Sequence, residues 1–295
     1  MSQAPPRIFD PAAGLARRRR AALLGGDVFL AQEAAEQIAA RIGAINRTFE
    51  HALDLESCKA VFPVLEPLAK HWLRTGPQSG AASLVADNEA MPFAPESFDL
   101  VVSVLSLHAV NDLPGVLAQI RHILKPDGLF IAALFGGETL RELRLSFAAA
   151  ESENAGGASP RVAPFGDVRD LGGLLQRAKF TLPVADVERS IVRYRDLTRL
   201  FADLRHLGET NVLAARRKSF LTRGTLAALA REYATRFADA EGRVAATFDI
   251  VYLTGWAAHD SQQQPLAPGA AKHRLADALE TVEIKTGEKA QPPRQ

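Results

Sequence analysis

The chain has 295 residues, 47% of them hydrophobic and 23% charged, with a formal net charge of +1. That length buries a substantial core as one large domain or two modest ones, and near-neutrality excludes a global field recruiting nucleic acid or membrane. A single cysteine, Cys58, excludes an internal disulfide framework and a cysteine-cluster metal site, so the expectation is a soluble, cytoplasmic protein without a metal site.

The first feature along the chain is a run of four arginines, Arg17–Arg20, followed by a short apolar stretch that Asp27 ends. The run reads as a solvated helix start, since the apolar core is too short for an export signal and acids flank it. From Asp27 to Ile45, apolar residues at three- and four-residue spacings predict an amphipathic helix. His51–Leu55 reads as a first strand and Val61–Leu73 as a weakly marked α/β step. Ser83–Ala86 reads as a third short strand. Phe98–Leu105 is apolar on both faces, the pattern of a strand inside a parallel sheet. Asn111 or Asp112 caps a helix to Leu124, Pro126-Asp127-Gly128 turns, and Leu129–Leu134 is the next strand.

The polar stretch Glu151–Pro160 reads as a mobile loop. A helix begins at Asp167 or Asp170, strand-like segments cover Thr181–Val187 and Ile191–Tyr194, and helices span Asp196–Phe237. Thr247–Leu253 is a final strand, and the last thirty or so residues read as a polar tail. Neither of the longest uncharged apolar runs, Leu100–Val110 and Gly128–Gly137, approaches the ~20 residues of a membrane span. Strands alternating with helices predict a three-layer α/β sheet.

In such sheets ligands bind outside the carboxyl ends of the strands. The first strand ends on Asp54-Leu55-Glu56-Ser57-Cys58-Lys59-Ala60, which contains no glycine and therefore no ready phosphate cradle. His108 follows a strand end, where it serves as an acid or base, or as a lid or packing residue. Between Arg189 and Arg223 nine cations face three acids. That local excess is a docking face for an acidic partner or a solvated helical surface, and it lacks the aromatic interleaving of base stacking.

Two motif sets narrow the reading. Val85–Phe93 (VADNEAMPF), Ser97–Ser103 (SFDLVVS) and Leu124–Phe130 (LKPDGLF) resemble, in order and spacing, motifs of class I S-adenosylmethionine-dependent methyltransferases. Leu105–His108, Val110–Gly115, Gly136–Leu140, Ser159–Phe165 and Leu253–Trp256 resemble bacterial relatives of the mitochondrial complex I assembly factor 5, a subgroup near the malonyl-carrier-protein methyltransferases of biotin synthesis. The likeness runs over roughly residues 7 to 270.

The resemblance implies a seven-stranded, mostly parallel Rossmann-like sheet with an antiparallel last strand. It implies an N-terminal helical lid (1–50), a core (51–195), a basic helical insertion (196–244), a final core strand (245–258) and a polar tail (259–295). It also implies S-adenosylmethionine as cofactor. Asp54 and Glu56 would lie in the cofactor loop, Asp87 would bond the adenine amino group with Asn88 alongside, and Ser103 and Leu105 would line the methyl end. His108 would belong to the loop closing over substrate. Glu56, Cys58 and Ala60 stand where the family has glycines, and no acid among His71–Thr75 matches the family's ribose contact. Three functions follow from the resemblance: a methyltransferase; an assembly factor acting on a protein arginine; or a non-catalytic scaffold binding a protein partner or acidic carrier through Arg189–Arg223.

Overall fold

A computed structural model describes residues 7–76, 84–154, 157–263, 277 and 281–282. The chain divides into one compact unit, residues 1–259, and a second, 260–295, of which only 260–263, 277, 281 and 282 are described. Most of the polar stretch expected from 259 onward therefore lies outside the described residues.

The first unit is built on a six-stranded sheet: β1 (Phe49–Asp54), β2 (Ala69–Arg74), β3 (Phe98–Val104), β4 (Leu124–Phe135), β5 (Thr181–Tyr194) and β6 (Val244–Trp256). The order is β2-β1-β3-β4-β6-β5. β1 runs parallel to β2 and β3, and β3 to β4, while β6 is antiparallel to both β4 and β5. The expected antiparallel last strand is present, but the described sheet has six strands where seven were expected. The segment expected as Ser83–Ala86 is reduced to one bridge, in which Leu84 N donates to Arg74 O and Gly76 N to Leu84 O, each at 3.1 Å; Ser83 itself lies outside the described residues. The reason is burial. β2 has no fully buried side chain, so a further strand beside it would cover little apolar surface. β3, by contrast, is buried at every position, as its unbroken apolar run predicted.

Helices cover both faces. On one lies α2 (Phe29–Gly43), which buries Leu30, Ala31, Ala34, Ala35, Ile38 and Ile42, the spacing that predicted it. α2 is thus part of the core layer, whereas α1 (Pro11–Leu24) has no buried side chain. α1 begins at an Asp10 cap and packs on α7 (Leu197–Leu207). β1 leads into α3 (Phe62–Leu65), a single turn flanked by 3-10 stretches. On the opposite face, α4 (Leu113–Ile123), capped by Asp112, buries Val116, Leu117, Ile120 and Ile123 beside Leu171 and Leu175 of α6 (Val168–Arg177).

Two long helices, α5 (Arg141–Asn154) and α8 (Arg223–Phe237), pack together near β6. α5 is fastened by Glu142, whose carboxylate accepts from Thr247 N at 3.0 Å and Thr247 Oγ1 at 2.5 Å. The segment expected as a mobile loop, Glu151–Pro160, is pinned at both ends: Glu151 lies in the last turn of α5, fully buried, and accepts from Ser159 N at 2.6 Å and Arg161 Nε at 2.8 Å. Polarity misled here, because the carboxylate's partners lie eight and ten residues away. The two strand segments expected between 181 and 194 are one strand, paired with β6 without a break from Val184 to Tyr194 after an irregularity between Thr181 and Val184.

Candidate functional site

Six of the seven candidate residues lie around the carboxyl ends of β1 and β3. Asp54 closes β1 with no exposed surface and accepts from Arg74 Nε at 3.0 Å and Ser57 N at 3.2 Å. Burial pushes its carboxyl above the ordinary value, against the pull of Ser57 and Arg74. The loop is stitched to β3 by short bonds: Ser57 Oγ accepts from Val104 N at 3.0 Å, and Ser106 Oγ donates to Leu55 O at 2.7 Å while sharing a 2.6 Å bond with Ser103 Oγ. Ser103 is therefore consumed in holding the loop.

Glu56 sits in the left-handed region, φ +56°, which favours glycine. Its N–H donates to Thr75 Oγ1 at 3.1 Å, and its side chain, 7% exposed, turns inward. One carboxylate oxygen accepts from Asn88 Nδ2 at 2.9 Å and lies 3.4 Å from an Arg18 guanidinium nitrogen of α1. Burial pushes this carboxyl up, with Arg18 opposing and Asp87 adding to the shift. Asn88 is buried, whereas Asp87 is exposed and accepts from Glu89 N at 2.9 Å, a turn cap. Cys58 and Ala60 are exposed.

Arg18 is a residue that the sequence reading missed. The arginine run was expected as a solvated start, but four consecutive helical residues sample every face, and one of them meets the cleft. Arg74 was also missed. It occupies the end of β2 where an acid was sought, paired with Asp54 and stacked on Phe62 with its guanidinium carbon 4.0 Å from the ring centre.

The remaining candidate, His108, is placed elsewhere. Leu105, at φ +52°, turns the chain sharply out of β3 into the 3-10 stretch Leu107–Ala109. That turn carries His108 into a neighbouring pocket of about 660 Å³ near the carboxyl end of β4. Its Nε2 lies 2.9 Å from Glu209 Oε2, and its ring packs edge-on against Phe135 and Phe165, with centroids 5.0 and 5.7 Å apart. His108 Nδ1 is buried without a partner.

A methyltransferase-domain profile matches residues 44–132, which contain Asp54, Glu56, Asp87, Asn88, Ser103 and Leu105. The chain is 42% identical over 258 residues to human arginine-hydroxylase NDUFAF5, covering 82% of this chain and 74% of that protein. It is 38% identical over 276 residues to the mouse protein, covering 88% and 80%. The chain belongs to the NDUFAF5 family. The chain is also 35% identical over 197 residues to a malonyl-[acyl-carrier protein] O-methyltransferase of Xylella fastidiosa, 66% of this chain and 63% of that one. Solved structures share the fold at low identity, among them the YcgJ protein of Bacillus subtilis (10% identity, TM-score 0.52, 76% of this chain and 98% of that chain). The BH2331 protein of Bacillus halodurans is another (14%, 0.51, 76% and 99%). The NDUFAF5 relatives are named as mitochondrial proteins. Among the described residues of this family member, no helix is long and apolar enough to cross a membrane, and no group of three His, Cys, Asp or Glu is placed to hold a metal.

Against S-adenosylmethionine the cleft gives a divided answer. The Asp87-Asn88 turn and the end of β3 border it, and Asn88 Oδ1 is buried without a partner, which leaves an acceptor to offer. The loop does not fit as it stands, because the Glu56 carboxylate and Arg18 fill the approach that glycines leave open.

Proposed function

We propose that the chain is an S-adenosylmethionine-dependent methyltransferase whose cofactor cleft is closed, in the form described, by the Glu56–Arg18–Asn88 contact. The observation that carries this reading is the gathering of Asp54, Glu56, Asn88 and Ser103 around one cleft, inside the segment matched as a methyltransferase domain. Arg18 belongs to a helix with no buried side chain, so lifting α1 costs little apolar contact. When bound, S-adenosylmethionine supplies an electrophilic methyl group, whose transfer needs mainly alignment of the reacting atoms. The chain's own contribution is positional. Leu105 directs His108 into the pocket, Glu209 fixes that ring, and the phenylalanines around it exclude water.

For the partner we propose an acidic carrier, supported by the excess of nine cations over three acids between Arg189 and Arg223 and by the likeness to malonyl-[acyl-carrier protein] O-methyltransferases. Some of these cations are engaged: Arg189 forks onto Asp249, Arg193 meets Asp239 and Arg216 meets Asp10.

The buried Glu56 favours a second reading, a non-catalytic scaffold of the kind an assembly factor provides. One titration separates the two. Calorimetry with S-adenosylmethionine should give saturable binding that Asp87→Ala weakens at least about tenfold. An absence of heat up to about 1 mM ligand would sink the methyltransferase reading and leave the scaffold.

A further inference from the structure

The pocket beside the cleft has walls of two kinds. Phe135, Phe147, Phe165 and Phe201 line its body, and Phe220 exposes nearly its whole ring at 98% on the loop bordering it. Around these rings stand Arg17, Arg20, Arg205, Arg217 and Lys218, none of which has an ion-pair partner among the described residues. Two further lining arginines are engaged, Arg161 with Glu151 and Arg216 with Asp10. The single lining carboxylate, Glu209, is committed to His108.

Gathering five uncompensated cations at one concavity is unfavourable for the empty chain, because like charges raise one another's energy across a low-dielectric wall. Three lining atoms are also left unsatisfied: Arg17 Nε, His108 Nδ1 and Thr210 Oγ1 are buried with no hydrogen-bond partner. An anion relieves the first feature and accepts from two of these atoms, Arg17 Nε and Thr210 Oγ1. The aromatic body requires that the anion carry an apolar group, and 660 Å³ is the size of a site for a small organic molecule. A cationic ligand fails on charge, and a bare inorganic anion leaves the rings wet.

We propose that this pocket binds an anionic amphiphile, a carboxylate or phosphate head held by the arginines of α1 and of the 217–218 segment, with its apolar chain laid among the phenylalanines. Arginine suits either head, since its planar fork donates two parallel hydrogen bonds to carboxylate or phosphate oxygens. α1 thereby serves both sites, with Arg18 turned to Glu56 while Arg17 and Arg20 face the pocket. The inference deepens the proposed function by naming the substrate class. It is tested without S-adenosylmethionine, so its failure is distinguishable from failure of the cofactor titration.

The test is calorimetric titration of the full chain with decanoate, decyl phosphate, decanol and decylammonium. The two anions should bind at micromolar to submillimolar levels, decanol at least about tenfold more weakly, and decylammonium not at all. The stronger of the two anions identifies the head. The double substitutions Arg17→Ala/Arg20→Ala and Arg217→Ala/Lys218→Ala remove exposed or half-buried side chains and leave the core intact. Each should weaken the anion about tenfold or more without changing the circular dichroism spectrum. Equal binding of decanol and decanoate would overturn the proposal, as would unchanged affinity in both double variants or no anion binding up to about 1 mM by folded protein.

Discussion

Glu56 holds a left-handed backbone conformation with its carboxylate turned into the protein, a placement that costs energy twice, in backbone strain and in desolvation. Its retention is explained by what it touches, Asn88 and Arg18. Because burial raises its carboxyl, the folded chain holds that proton more tightly than the unfolded one. Stability from this group is therefore fully present at acid pH and is lost as pH rises from the ordinary value near 4.5 through the raised one. Glu56→Gln cannot ionise, so its melting temperature should rise relative to the parent between about pH 4 and pH 7.5. A difference that stays flat across that range would show that the carboxyl is not shifted.

The same residue marks the limit of sequence reading at this scale. That a side chain replaces glycine at position 56 was legible. Which way it points, and that Arg18 from 38 residues upstream meets it, was not, because that depends on where the folded chain seats α1. Ser103 bonds Ser106, a partner three residues away that only the turn at Leu105 brings round, and that tie was not legible either.

At the scale of elements, burial decided where the periodicity could be trusted. α2, α4 and β3 follow their apolar spacing because each buries the face that the spacing defines. The extra strand beside β2 fails because that edge offers little to cover, and the end of α5 was hidden by polarity that serves the Glu151 clamp. Polar ties between elements carry no periodic signature, yet they are energetically consequential. Glu142 holds α5 to β6 through two buried bonds from Thr247. Removing it orphans both donors, so Glu142→Ala should lower unfolding free energy by roughly 2–4 kcal/mol, read as a shifted urea midpoint with unchanged slope. A loss below about 0.5 kcal/mol would show that the tie is replaceable by water.

For the whole molecule, the near-zero charge of the chain conceals a local imbalance. Five cations converge on one pocket with no ion-pair partner among the described residues, while the loop after β1 beside it is filled by the protein's own carboxylate. The motifs Val85–Phe93, Ser97–Ser103 and Leu124–Phe130 were enough to read the fold, because they encode a strand end, a buried strand and a turn. The pocket was not legible, since its walls come from α1, the end of β4, the segment after α5 and the loop before α8, which only the folded chain assembles. The central claim is that Glu56 closes a cleft that remains built for S-adenosylmethionine. Calorimetry of the Glu56→Gly/Cys58→Gly/Ala60→Gly variant against the parent tests it most directly. Restored glycines should tighten S-adenosylmethionine binding by about tenfold or more, and binding that is weaker than the parent's, or absent from both, would contradict the claim.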